Sequence, residues 1–206
     1  MSAVLERVRV VQLGLVPYES TVAAMRAFTA NRNAATPDEL WLLEHPPVYT
    51  LGLGADPARG ARAQNGIPLV KTERGGEITY HGPGQLVIYT LVDLARRGIK
   101  VKQFVRLLEQ AVIDLLGGRG ERMPGAPGVY VEGAKLAALG IRVSRGCAYH
   151  GLALNVDMDL APFAAIDPCG MPGLRVTRTC DLGIDESKEV LGQKLANILL
   201  GKLEDA

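Results

Sequence analysis

From Val101 to Leu116 the apolar residues Val101, Phe104, Val105, Leu108, Val112, Leu115 and Leu116 recur at helical spacing and fall on one face. Gly117 and Gly118 then end the segment. Such a helix must lay its apolar face on something, and the flanking sequence offers β-runs. Gln85–Val92 is dense in β-branched and apolar residues, and Gly128–Glu132, Leu136–Val143 and Ala148–Val156 read as the successive strands of a meander. Upstream, residues 7–15 alternate partly and predict a strand. Pro17 can open a helix over Tyr18–Ala30 with Val22, Met25 and Phe28 inward. Leu40–Leu43 and Val48–Leu51 are short apolar runs around the turn His45-Pro46-Pro47, and Ile67–Thr72 is a further strand. Pro57–Gly66 and Pro124–Gly128 have loop composition, Pro162–Ile166 reads as a helical turn, and Glu186–Leu203 as a last amphipathic helix. The order predicts an α+β fold, a mixed β-sheet flanked by helices, in a single domain over residues 1–206.

Composition removes several classes of function. At 48% hydrophobic and 22% charged residues the chain is not disordered. Twenty-three basic against twenty-two acidic residues give no excess that would draw it to nucleic acid. Leu86–Val92 is the longest apolar stretch and falls far short of a membrane span, and charges interrupt Met1–Arg7 before any signal core, so no membrane is expected and a cytoplasmic setting is. Three cysteines build no disulfide framework, and no Cys-x-x-Cys or His-Glu-x-x-His points to zinc. No serine lies in Gly-x-Ser-x-Gly. Glycine is abundant, at 24 residues, so the backbone must turn tightly or approach something closely at many points.

Four constellations could carry chemistry. Arg74-Gly75-Gly76-Glu77-Ile78-Thr79-Tyr80-His81-Gly82-Pro83-Gly84-Gln85 lets backbone approach a ligand, although alone it reads first as a glycine-rich hairpin with a solvated arginine. It is neither a P-loop nor a dinucleotide fingerprint. In Gly133-Ala134-Lys135-Leu136-Ala137-Ala138-Leu139-Gly140 a lysine interrupts small apolar residues. It is either a solvated guard on an edge strand or an inward, desolvated base. Asp167-Pro168-Cys169-Gly170 displays a thiol on a loop, while Cys147 packs at the meander and Cys180 is expected buried beside the last helix. His150 opens Gly151-Leu152-Ala153-Leu154-Asn155 and can be structural or an orienting residue.

In order and spacing, these four motifs together resemble the lipoyl(octanoyl) transferases of lipoate biosynthesis, from about Arg7 to the last helix. The resemblance implies the fold of the biotin and lipoate protein ligase catalytic domains. It implies transfer of an octanoyl group from octanoyl-acyl carrier protein to a lysine of lipoyl domains, those of 2-oxoacid dehydrogenase complexes and the glycine cleavage H protein. It places the nucleophile on Cys169 and its acid/base partner on Lys135. Acyl-substrate contacts fall on Arg74, Gly75, Gly76, Glu77, Ile78, Thr79, Tyr80 and His81, on Ala138, Leu139 and Gly140, and on Gly151, Leu152 and Ala153. No cofactor is implied, neither ATP nor a metal, because a thioester arrives activated. Small residues, Ala137 among them, would leave room for an acyl tunnel, and some of Arg142, Arg145, Arg175 and Arg178 are expected to form a basic rim for an acidic carrier. Asp167 and Met171 depart from the usual asparagine and aromatic. The rivals are an ATP-dependent lipoate or biotin ligase on the same fold, a silent carrier-binding protein and a thioesterase.

Overall fold

The computed structural model describes residues 8–56 and 66–206. The proposed loop Pro57–Gly66 falls almost wholly outside them, as does Met1–Arg7. The first unit is a strand–helix–strand crossover: β1 (Arg9–Leu15), α1 (Tyr18–Asn31) and β2 (Glu39–Glu44), with β1 and β2 parallel. A three-stranded sheet follows from β3 (Val48–Leu51), β4 (Leu69–Lys71) and β5 (Ile78–His81), in the order β4-β3-β5. β6 (Gln85–Asp93) leads into α2 (Leu94–Arg97) and α3 (Val101–Leu115). Then come β7 (Glu121–Met123), β8 (Ala126–Val131), β9 (Ala134–Ser144), β10 (Cys147–Asn155) and α4 (Lys188–Glu204). The large sheet runs β1-β2-β6-β10-β9-β8-β7 and is antiparallel apart from β1–β2, which bears out a mixed sheet with flanking helices.

Alternation along β6 divides the core. Leu86, Ile88 and Val92 meet Phe104, Leu108 and Val112 of α3 and Leu195 and Leu199 of α4. Val87, Tyr89 and Leu91 turn the other way, onto Tyr18, Val22 and Met25 of α1. A third cluster joins the small sheet, through Tyr49, Ile78 and Tyr80, to Phe163 of the 3-10 turn Ala161–Ala165 and to Ile166 just after it. Behind β6, Asp38 is fully buried and ties three elements together. It accepts from the Asp93 amide at 2.9 Å, Arg96 at 2.9 Å and Arg97 at 2.6 Å, and it pairs with Arg32.

Several expectations need correction. Pro124–Gly128 is no loop throughout, because β8 starts at Ala126 and pairs with β9. The strand expected over Ile67–Thr72 is only Leu69–Lys71. Lys135 lies on no edge; β9 is covered by β8 and β10, and the side chain is buried. Ala137 faces the α3 core and not a tunnel. Cys180 is half-buried, with Sγ 3.5 Å from Asp157 Oδ1, where the carboxylate and not the helix core receives it.

Candidate active site

After β10 the chain crosses back over the meander and docks on the start of β9. Lys135 N–H donates to Arg175 O at 2.8 Å and Lys135 O accepts from Thr177 N–H at 3.0 Å, a parallel bridge to Val176. This crossing delivers the 3-10 turn Pro168–Gly170 to the same place. Pro168 fixes the approach, and Cys169 then takes φ 56°, ψ 22°, a left-handed conformation rare outside glycine. The result is a direct contact: Lys135 Nζ lies 2.6 Å from Cys169 Sγ and donates to Pro127 O at 3.0 Å.

Two features hold the lysine in place. Its Nζ sits 5.4 Å from the centre of the Tyr130 ring, whose hydroxyl donates to Ala126 O and stands 4.0 Å from Sγ. Burial, and then Cys169, push the Tyr130 hydroxyl well above its ordinary range, so it stays a neutral donor. Gly128 supplies the room. A Cβ there would stand 2.8 Å from Lys135 Cε and 3.0 Å from Nζ.

Beside the pair opens a cavity of about 410 Å³, between the α1 face of the large sheet and the loop before β5. Arg74, Gly75, Gly76, Glu77, Ile78, Thr79 and His81 line it, with Ala138, Leu139, Gly140, His150, Gly151, Leu152, Ala153, Lys135 and Cys169. The structure thus brings together every candidate site residue except Tyr80. That ring packs 5.5 Å from both Tyr49 and Phe163, in the core of the small sheet.

The Arg74–Gly76 loop is pinned across β9 by Gly75 N–H to Ile141 O at 3.0 Å. Arg74 is buried without a carboxylate among the described residues. Its guanidinium donates to Thr50 O, Thr50 Oγ1 and Gly75 O, and burial lowers its proton affinity. Gly140 permits the crossing, since a Cβ there would meet Gly75 O at 2.7 Å. Gly140→Ala is expected to push the loop off the strand and destabilise the fold by about 1–3 kcal/mol, read as a lower melting temperature.

All three histidines of the chain meet here. His45 Nδ1–H donates to Val16 O and its Nε2 accepts from Tyr89 OH, each at 2.7 Å. His81 Nδ1–H donates to Gln85 Oε1 at 2.7 Å, Gln85 Nε2 donates to Asn155 Oδ1, and Asn155 Nδ2 donates to Thr177 O. This relay fixes the His81 tautomer and ends beside the Lys135 bridge. Burial lowers His45 and His150 to about 4 and His81 well below its ordinary value, so the chamber wall carries neutral imidazoles near pH 7.

Tyr18, Gln85, Tyr89, Tyr130 and Asn155 were not singled out as site residues from the sequence. Gln85 and Asn155 end two of the quoted motifs, and a tight hairpin at Glu132-Gly133 sets Tyr130 opposite Lys135. Of the arginines expected at a basic rim, Arg175 donates to Glu132 O at 2.7 Å. Arg178 is engaged by Asp157 and Asp181, and Arg145 by the carbonyls of Thr29 and Ala30. Among the described residues no group of His, Cys, Asp or Glu could hold a metal ion, and no helix is long and apolar enough to cross a membrane.

The lipoyl protein ligase A/B catalytic domain model matches residues 17–196. The octanoyltransferase of Aromatoleum aromaticum is 61% identical over 191 residues, covering 91% of this chain and 82% of the relative. That of Dechloromonas aromatica is 56% identical over 196 residues, covering 94% and 95%. Among solved structures, lipoate-protein ligase A bound with ATP superposes with a TM-score of 0.79 at 18% identity, over 96% of this chain and 86% of that one. A biotin protein ligase from Aquifex aeolicus, in complex with biotin and ATP, gives 0.57 at 12% identity, over 97% and 71%. These distant neighbours bear on the fold alone.

Proposed function

The chain belongs to the lipoyl protein ligase A/B catalytic-domain family, among the octanoyltransferases, acyl-transferring enzymes of lipoate biosynthesis, and on that premise we propose that Cys169 carries the octanoyl group as a thioester while Lys135 moves the protons. The observation that carries this is the 2.6 Å contact between Lys135 Nζ and Cys169 Sγ at the wall of an acyl-sized cavity. Lys135 takes the thiol proton, since the thiolate is the nucleophile, and stays against the sulfur as an ammonium. The sulfur attacks the carbonyl of octanoyl-acyl carrier protein. A new S–C bond forms, the carrier's S–C bond breaks, and the departing carrier sulfur takes the proton from Lys135. One thioester replaces another, so this step is nearly balanced.

A lipoyl-domain lysine then attacks the acyl-enzyme. Its nitrogen forms the amide, Cys169 leaves as thiolate, and Lys135 accepts the amine's proton. The amide makes this second step downhill, so neither ATP nor a metal is called for. Of the backbone donors near the sulfur, Gly170 N–H and Gly75 N–H are spent on Asp167 O and Ile141 O. Charge on the tetrahedral oxygen therefore falls to the Lys135 ammonium and the remaining loop amides. Burying about seven carbons of the tail contributes up to ~5 kcal/mol to binding.

Intact-protein mass spectrometry tests the assignment. Mixed with octanoyl-acyl carrier protein and no ATP, the wild type is expected to gain one octanoyl group, lost on hydroxylamine treatment. Cys169→Ala is expected to gain none. Transfer to a lipoyl domain by Cys169→Ala at the wild-type rate would sink the thioester route.

A further inference from the structure

Octanoyl transfer through Cys169 and Lys135 leaves His150 without a task. Along β10, Ala148, Leu152 and Leu154 face the α3 core, and Tyr149 and Ala153 face α1. By alternation His150 belongs with the first set. Its backbone instead takes φ 61°, and the side chain turns over to the α1 side. There the ring stands T-shaped at 5.7 Å from Tyr89 and stacked at 5.2 Å on Tyr149. A left-handed conformation at a non-glycine residue is costly and collects at functional positions.

The ring is 1% exposed and lines the cavity. Neither of its nitrogens has a hydrogen-bond partner among the described residues, Glu73 Oε1 being 3.9 Å from Nε2. Strain and two unpaired buried nitrogens together are more than packing requires.

Register gives the in-sheet spacing between His150 and the Lys135 amine that touches the sulfur. Lys135 Nζ lies at the level of Gly128, which pairs with Ala138, whereas His150 pairs with Ile141. The offset is three residues along the strands and two strands across. At about 3.3 Å per residue and 4.8 Å per strand, that is roughly 14 Å. An extended octanoyl chain on sulfur, with staggered bonds of about 1.5 Å, reaches roughly 11 Å. Methyl contact adds about 3.7 Å, so the chain's end arrives at the imidazole.

We propose that His150 is the polar end-stop of the acyl channel and sets the chain length that the enzyme accepts. The inference rests on the acyl group being carried on Cys169. Eight carbons bring the methyl up to the ring. Each further carbon presses hydrocarbon onto nitrogens that need a hydrogen bond, and hydrocarbon supplies none.

The test compares octanoyl-, decanoyl- and dodecanoyl-acyl carrier protein as donors for wild type, His150→Gly and His150→Asn. Glycine takes the left-handed backbone without strain, and asparagine tolerates it while keeping a polar tip. His150→Gly is expected to raise the decanoyl-to-octanoyl ratio of kcat/KM at least tenfold, with a smaller rise in His150→Asn. An unchanged ratio in folded His150→Gly, with all donors falling together, would overturn the end-stop. Melting shifts with free octanoic, decanoic and dodecanoic acid give a second readout that needs no turnover. Selective stabilisation of wild type by the eight-carbon acid, relaxed in His150→Gly, supports the end-stop even where the Cys169 route fails. Equal stabilisation of wild type by all three acids counts against it.

Discussion

Lys135→Met is expected to lower kcat/KM for octanoyl transfer by about 10²–10⁴-fold, the range for loss of a positioned acid/base. Methionine keeps the length of the lysine stem and fits the channel between Tyr130 and Gly128, where the amine now sits. What disappears is the amine 2.6 Å from Cys169 Sγ and the donor to Pro127 O. Losing the second costs about 1–3 kcal/mol of stability, which leaves the protein folded. Alkylation of Cys169 by iodoacetamide separates the two proton transfers. A slower reaction at Cys169 places the lysine in the first step. Unchanged alkylation with lost transfer confines it to the second, and wild-type transfer by the variant removes it from the chemistry.

The largest effect on stability is expected at Asp38. Asp38→Ala strands the guanidiniums of Arg32 and Arg97, 4% and 5% exposed, with no carboxylate between them. Removing one partner of such a buried network costs about 3–5 kcal/mol, or roughly 10 °C in melting temperature for a chain of this size. The wild-type network also sets an acid limit. Burial alone would raise the Asp38 carboxyl, but the Asp93 amide and the Arg97 and Arg32 guanidiniums outweigh it and hold it below its ordinary value. A carboxyl lowered in the folded state contributes stability that is complete above the unfolded value of about 3.9, and that fades as pH falls through the lower, folded one. Melting curves from pH 7 down to 3 should therefore fall less steeply in Asp38→Ala than in wild type. Parallel curves would show that Asp38 does not govern acid sensitivity.

Legibility of the sequence followed the length and regularity of each element. β6 and α3 announce themselves because each repeats its pattern over many residues against a continuous core. The small sheet does not. β3, β4 and β5 span only three or four residues each, and β5 hides inside the glycine-rich motif that reads as a hairpin. β8 begins within Pro124–Gly128 because pairing with β9 overrides loop composition. At the site, the motifs named nearly every lining residue, but no local pattern brings Cys169 to Lys135, 34 positions earlier. No motif marks Tyr18 or Tyr89, and their place beside His45 and His81 depends on α1 packing over β6. Tyr80 went the other way, drawn from the motif into the packing of Tyr49 and Phe163.

The bridge between Lys135 and Val176 carries a meaning for the order of events in the life of the chain. The strand that holds Lys135 is complete by Ser144, yet Cys169 is joined to it only through the crossing that follows Asn155. A nascent chain that has made the whole meander already owns the lysine and much of the cavity wall, and still lacks the thiol beside it. On the proposed route competence thus arrives with the last quarter of the polypeptide, so that a chain stopped before the crossing holds the lysine without the thiol.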